Sequence, residues 1–277
     1  MFDQVYAIPT YICNLNCPHC EIHKIEHKVD CAQFLKQLQK IEARRVILFG
    51  GEPLVLPDEY IKQIIQTGKI TSISTNLFSA SENILKEIVD NKIAIATSWN
   101  RKRFSLNQEL NWYLNILKVK RLGAKVDVLI TLTEDLITEE GYTILKIVLE
   151  TLNTTNGVNG VLFEHYIGPE ATKEYQERAD DFLCKIYKDW NYKFNNFIID
   201  RLENWNCNCA NVATLEPDGN LKMGCPQYQE NDVNIREECL SCSLANICNP
   251  CYLQHNCSFP KKLYHLVKEE ENGSSAK

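Results

Sequence analysis

The sequence predicts an α/β protein: six βα units around a parallel sheet, followed by a small cysteine-rich region. Three observations carry this. Strand-like and helix-like segments alternate six times with short connections up to about residue 195. The motifs that suggest chemistry each fall where a strand ends, which is where parallel sheets bind ligands. After about Asn195 the long apolar runs give out, and eight cysteines fall from Cys207 to Cys257. The expected organisation is a first domain over 1–195, a second over 196–260 and a C-terminal tail over 261–277, disordered from Glu269.

The elements follow in order. Val5–Ile12 is an apolar run that reads as the first strand and feeds Cys13. Asp30 is placed to cap a helix over 31–43 with Phe34, Leu35, Leu38 and Ile41 on one face. Residues 45–49 read as a buried strand closed by Gly50-Gly51-Glu52-Pro53. Pro57-Asp58 opens a helix to about Lys69, and Ile70–Thr75 is a third strand ending in Thr75-Asn76. Ser79 is placed to cap a helix over about 81–92, and Ile93–Ser98 is the fourth strand. Asn107–Leu122 is helical and stops at Gly123. Lys125–Thr133 is the fifth strand, Glu139–Leu152 a helix, and Gly160–His165 the sixth strand, bringing Glu164 and His165 towards the same end. A last helical stretch runs from about Glu170 to Lys193.

Of the 277 residues, 44% are hydrophobic, enough for a substantial core. The net charge is −6 with no basic block, which argues against a nucleic-acid partner. No apolar run reaches the roughly 18 residues of a membrane helix. Met1-Phe2-Asp3-Gln4 does not open a secretory signal, so a cytoplasmic location is expected. In a reducing cytosol, thirteen cysteines point to metal rather than to disulfides.

Cys13, Cys17 and Cys20 are spaced C-x3-C-x2-C within eight residues. Three thiolates in one loop lack the fourth ligand of a tetrahedral zinc site. They suit a 4Fe-4S cubane with one iron left open. The competing reading is a zinc loop with a coincidental Gly-rich turn after the second strand.

This loop, with His19 just before its third cysteine, resembles the signature of the radical S-adenosylmethionine (SAM) superfamily. Gly50-Gly51-Glu52 resembles that family's Gly-Gly-Glu motif. The resemblance covers residues 1 to about 195 and implies an open partial (β/α)6 barrel. It implies that Cys13, Cys17 and Cys20 hold the catalytic 4Fe-4S cluster and that SAM chelates the fourth iron. Reductive cleavage of SAM would free a 5′-deoxyadenosyl radical that abstracts a substrate hydrogen. By position, Glu52 would hold SAM's ammonium, and Gly50 and Gly51 would allow close backbone approach. His19 would lie on the adenine side, and Ser98 and Asn100 near the ribose. Arg101 or Arg103 would meet the carboxylate, and the sequence does not choose between them. Thr75, Asn76 and Thr131 are read either as SAM contacts or as turn and strand-end residues.

Cys239-x2-Cys242-x5-Cys248-x2-Cys251-x5-Cys257 follows Cys207, Cys209 and Cys225, the last reached through the turn Pro217-Asp218-Gly219. This resembles the SPASM auxiliary-cluster extension of radical SAM enzymes. Two spacings depart from the family pattern: five residues separate Gly219 from Cys225 where four are usual, and two separate Cys248 from Cys251 where three are usual. The resemblance implies two auxiliary 4Fe-4S clusters with interleaved ligands. Cys207, Cys209, Cys225 and Cys251 would hold one, and Cys239, Cys242, Cys248 and Cys257 the other. Cys207 and Cys209 are close enough in sequence that one of them is a candidate to stay unligated. Zinc is the alternative for this half. Cys31 and Cys184 fall outside these sets, on apolar helical faces, as small hydrophobes or as hydrogen donors for an epimerase.

Enzymes of this two-part layout mostly modify peptides. The first reading is therefore a maturase of a ribosomally made precursor peptide, an oxidoreductase forming a thioether or carbon–carbon cross-link. An electron donor such as flavodoxin or ferredoxin is expected. Twelve residues precede Cys13, so no leader-binding domain is expected there; the precursor would bind the barrel directly or through a separate carrier. Pro226 and Gln227 after Cys225 count against the sulfatase-maturing branch, where an Asp is common. The alternatives are a small-molecule radical dehydrogenase, for example of an amino sugar alcohol, a peptide epimerase, and a metal-stapled binding protein without turnover. The last leaves Glu52 and the Gly pair without a role.

Overall fold

The computed structural model describes residues 1–17, 20, 25–101, 104–154, 158–165, 172–190, 196–197, 211–224 and 261–274. Among these, the strands are β1 (Phe2–Ala7), β2 (Ala43–Leu48), β3 (Ser72–Ser74), β4 (Ala94–Trp99), β5 (Val126–Leu132), β6 (Gly160–His165), β7 (Asn196–Phe197), β8 (Val212–Leu215) and β9 (Leu221–Met223). The helices are α1 (Cys31–Lys40), α2 (Asp58–Gln66), α3 (Glu82–Asp90), α4 (Leu106–Arg121), α5 (Glu139–Thr154), α6 (Lys173–Trp190) and α7 (Lys261–Ser274). The strands form one sheet in the order β7-β6-β5-β4-β3-β2-β1-β8-β9.

From β1 to β7 the strands lie side by side in chain order, and every pair is parallel. Right-handed crossovers between successive neighbours put all the connecting helices on one face. Such a sheet twists and curls around its bare face, as in a barrel. It stays open, because β7 and β9 are its edges. This is the partial barrel expected from the sequence.

Burial follows the two faces. Along β5, Val126, Val128, Ile130 and Leu132 are buried, while Asp127, Leu129 and Thr131 are half-buried. The helix side of β4 is marked by Thr97, whose hydroxyl accepts from Trp112 Nε1 of α4 at 2.9 Å. That bond satisfies the indole of a fully buried Trp. The opposite face carries Ser74, Ala96, Ser98, Asp127, Thr131 and Glu164, all half-buried and matched by register. Leu129 and Leu162, paired in register beside Ser98, share that face.

Several boundaries differ from the sequence reading, each for a local reason. The first strand ends at Ala7 rather than Ile12, because Pro9 has no N–H for a ladder. Residues 8–12 become an extended link. Ile8 N–H donates to Leu215 O at 2.8 Å, and Thr10 O and Ile12 O accept from Gly51 and Glu52. Helix α1 stops at Lys40, and Ile41 is already extended. Helix α2 stops at Gln66, two residues before Gly68, which has φ +68°. The cap of α3 is Ser81, not Ser79; its side chain accepts from Ile84 N. Asp30 caps α1 as expected, accepting from Gln33 N at 2.9 Å. Cys31 is exposed at the first position of α1 rather than buried on its apolar face, whereas Cys184 is half-buried against the core.

Two features past residue 195 were not legible beforehand. β7 pairs with β6, and β8 runs parallel to β1, with Gln4 opposite Val212 and Ala7 opposite Leu215. Strands drawn from 196–260 thus extend the first domain's sheet at both edges. The expected hairpin turn is present: β8 and β9 are antiparallel around 216–220, with Gly219 at φ +84°. The tail expected to be disordered from Glu269 is instead helix α7 as far as Ser274. Asp180 of α6 caps that helix, accepting from the N–H of Lys262 at 2.8 Å and of Leu263 at 3.2 Å. Burial raises the Asp180 pKa above the usual carboxylate value, and these two donors partly offset it.

Leu263 is fully buried beneath α7, against the same core as α6. Leu263→Ala should therefore cost about 2–5 kcal/mol in urea unfolding of the intact chain. A loss below about 1 kcal/mol would show that α7 does not dock on this core.

Candidate functional site

The site is built where β1, β2 and β3 end. Gly50 and Gly51 sit so close to the exit of β1 that neither tolerates a side chain. A Cβ on Gly50 would lie 2.3 Å from Thr10 O, and one on Gly51 would lie 2.2 Å from Ile12 O and 2.4 Å from Tyr11 O. Gly50 also has φ +133°. The close approach these glycines permit is therefore to the chain's own backbone just before Cys13. Two hydrogen bonds seal it: Gly51 N–H to Thr10 O at 3.1 Å and Glu52 N–H to Ile12 O at 2.8 Å.

Glu52 is 1% exposed. Its Oε1 accepts from Leu54 N–H at 3.0 Å and from the Thr75 hydroxyl at 2.7 Å, and its Oε2 from Asn76 N–H at 2.5 Å. A buried carboxylate needs such donors, because an unsolvated charge is costly. Thr75 and Asn76 thus hold Glu52 in place. Asn76 also reaches the cysteine loop: its Nδ2 donates to Asn14 Oδ1 at 2.6 Å and lies 4.0 Å from Cys13 Sγ. Asn14 Nδ2 in turn donates to Ser79 Oγ at 2.6 Å.

The loop itself carries Cys17, buried, and Cys13 and Cys20, half-buried. None of the three is in a disulfide, and Cys20 N–H donates to Cys17 O at 3.1 Å. Among the described residues, no three Cys, His, Asp or Glu side chains gather closely enough to hold a metal ion. The structure therefore places the three thiols on one loop without bringing them to one point. Their chemistry still fits a sulfur-ligated iron group, for which three thiols are suitable ligands.

The structure brings Cys13, Glu52, Thr75 and Asn76 into one network. Ser98 and Thr131 face the concave side of β4 and β5, and buried Asn100 follows β4. Arg101 is turned away towards α5, where it pairs with Glu140 and donates to Asp135 O. His19, Arg103, Cys207, Cys209, Cys225, Cys239, Cys242, Cys248, Cys251 and Cys257 lie outside the described residues. Sequence reasoning missed Asn14, Tyr11, His27 and Glu216. Tyr11 N–H points at His27 Nε2 at 3.4 Å, and its hydroxyl donates to Glu216 Oε2 at 2.8 Å. Burial, then the bond to Glu216 and its charge, raise the Tyr11 pKa. No local pattern signals a contact 205 residues long in sequence.

Residues 7–100 match the family model of the radical SAM superfamily, as the cysteine loop and the Gly-Gly-Glu turn led us to expect. That span holds the cysteine loop, the Gly-Gly-Glu turn, Thr75-Asn76, Ser98 and Asn100. The fold is similar to that of Streptococcus suis SuiB bound to S-adenosylmethionine, with a TM-score of 0.62 at 14% identity, over 91% of this chain and 73% of that one. SuiB bound to the precursor peptide SuiA is similar at a TM-score of 0.61, again at 14% identity, over 91% and 72%. No protein among the curated ones matches the sequence. No helix among the described residues is long and apolar enough to cross a membrane.

The Thr75 hydroxyl donates to Glu52 and accepts from Leu77 N–H at 3.0 Å. Thr75→Val keeps the shape and removes both bonds, so it should cost about 1–3 kcal/mol in denaturant unfolding. Thr75→Ser should stay close to wild type. A loss in Thr75→Ser with Thr75→Val close to wild type would mean that packing of the methyl, not the hydroxyl, matters at this position.

Proposed function

We propose that this protein is a radical SAM maturase that oxidatively modifies a ribosomally made precursor peptide. The observation that carries the reading is the bonded network joining the Cys13 loop to the Glu52 turn, inside a span that matches the radical SAM family. Cys13, Cys17 and Cys20 would hold a 4Fe-4S cluster, and Glu52 would face SAM's ammonium. When bound, this cluster and SAM supply one-electron cleavage of the sulfonium and hydrogen-atom abstraction from the substrate.

The residues of the chain do the rest. Glu52, fixed by Thr75 and Asn76, sets where the amino group sits. Ser98, Asn100 and Thr131 are proposed to line the nucleoside side, with His19 at the adenine. Arg103 is the candidate for the carboxylate, Arg101 being engaged by Glu140. The polar side chains on the half-buried face of the sheet, among them Asp127 and Glu164, would offer hydrogen-bonding partners to a peptide backbone.

A peptide substrate is favoured over a small molecule because a protein of similar fold has been solved with a precursor peptide bound. Residues 1–195 would form the catalytic domain and 196–260 an auxiliary-cluster domain of the SPASM kind. Its cysteines would be grouped as Cys207, Cys209, Cys225 and Cys251, and as Cys239, Cys242, Cys248 and Cys257. A cytoplasmic location and a flavodoxin or ferredoxin donor complete the proposal.

Anaerobically reconstituted protein should hold about twelve irons per chain, four per cubane. Changing Cys13, Cys17 and Cys20 together to Ala should remove about four of them and abolish 5′-deoxyadenosine formation. Retained deoxyadenosine would overturn the assignment of the loop. With a precursor peptide as substrate, the product should lack two hydrogens. An unchanged product mass would point to epimerisation, and no peptide product at all to a small-molecule dehydrogenase.

A further inference from the structure

Tyr11 stands two residues before Cys13, is 4% exposed, and joins three segments of the chain. Its carbonyl lies against Gly51 of the Glu52 turn. Its N–H and ring meet His27, which follows the cysteine loop, with ring centroids 5.3 Å apart and edge-on. Its hydroxyl donates to Glu216, the residue after β8.

Glu216 is itself a fixed point. Its N–H donates to Asn220 O at 2.8 Å and its O accepts from Gly219 N–H at 2.9 Å, which closes the hairpin turn. Its second carboxylate oxygen faces Lys222 Nζ at 3.4 Å. The turn is seated on the start of α1. Pro217 O accepts from Asp30 N–H at 3.0 Å, and Gly219 packs so closely on Gln33 that a Cβ there would come within 2.5 Å of its side chain. The carboxylate therefore meets the Tyr11 hydroxyl from a braced support, not from a mobile surface arm.

We propose that Glu216 is a positioning residue for the first cysteine loop, acting through Tyr11. The adjoining Ile12 O accepts the Glu52 N–H, so turning Tyr11 moves the exit of β1 and the Glu52 turn together. Glu216 thereby sets Cys13 relative to Glu52. It also ties that geometry to the β8–β9 hairpin. The inference rests on Cys13, Cys17 and Cys20 as cluster ligands and Glu52 as a SAM contact, so one arm of its test dispenses with both.

The test compares Tyr11→Phe, Glu216→Leu, their double variant and Glu216→Gln in the full chain. In iron-free protein, hydrogen exchange is followed across amides 12–17, with α5 as the internal reference. In reconstituted protein, SAM affinity is measured by equilibrium dialysis, and the EPR spectrum of the reduced cluster is recorded with and without SAM. Tyr11→Phe and Glu216→Leu should each speed exchange at 12–17 and weaken SAM binding by about three- to tenfold, with α5 unaffected. The double variant should be no worse than the more affected single one, because both remove the same bond. Glu216→Gln still accepts from Tyr11 and should stay within about twofold. The EPR change on adding SAM should be reduced in the first three variants and intact in the fourth.

The proposal is overturned by unchanged exchange at 12–17, by effects that add in the double variant, or by Gln as harmful as Leu. It is also overturned if exchange rises while every variant binds SAM as wild type does, since the contact is then only a brace. Wild-type protein that binds no SAM, with exchange responding as expected, overturns the cofactor reading and leaves the Glu216–Tyr11 control of the loop standing.

Discussion

The buried carboxylate of Glu52 fixes the exits of β1, β2 and β3 to one another. Its oxygens accept from Leu54, Thr75 and Asn76, and its own N–H donates to Ile12. A carboxylate removed from water is tolerated only when its lone pairs are met, so the three strand ends cannot shift independently. Leu77, a non-glycine residue at φ +64°, follows directly and is held by its N–H to the Thr75 hydroxyl. Backbone in that uncommon region persists where neighbours over-determine it, and here the neighbours belong to the site.

Around this clamp the topology assigns the faces. A sheet wound in one direction keeps its helices on one side, where Trp112, Tyr175 and Trp190 are packed almost without exposure. The other side is left to Ser74, Ser98, Asp127, Thr131 and Glu164. Core and open face are thus alternate positions of the same strands, separated by the period of two of an extended chain.

The two halves of the chain are less separate than their compositions suggest. β8 lies beside β1 in parallel, and its turn rests on α1. Glu216 touches Tyr11 next to the cysteine loop.

The sequence by itself determined the six βα units, because apolar periodicity, Asp30 as a cap and the stop at Gly123 are local signals. It also determined that Cys13, Gly50–Glu52, Thr75-Asn76 and Ser98 share one end of the sheet, since parallel strands put all such ends together. It could not show that Gly50 and Gly51 are required by the backbone of residues 10–12, nor that Thr75 and Asn76 serve Glu52. Nor could it find β8 beside β1, Asp180 capping α7, or Glu216 holding Tyr11. Those contacts are decided by tertiary structure. Each joins groups that are dozens to hundreds of residues apart, and a buried hydrogen bond between them exists only once the sheet has brought its partners within reach.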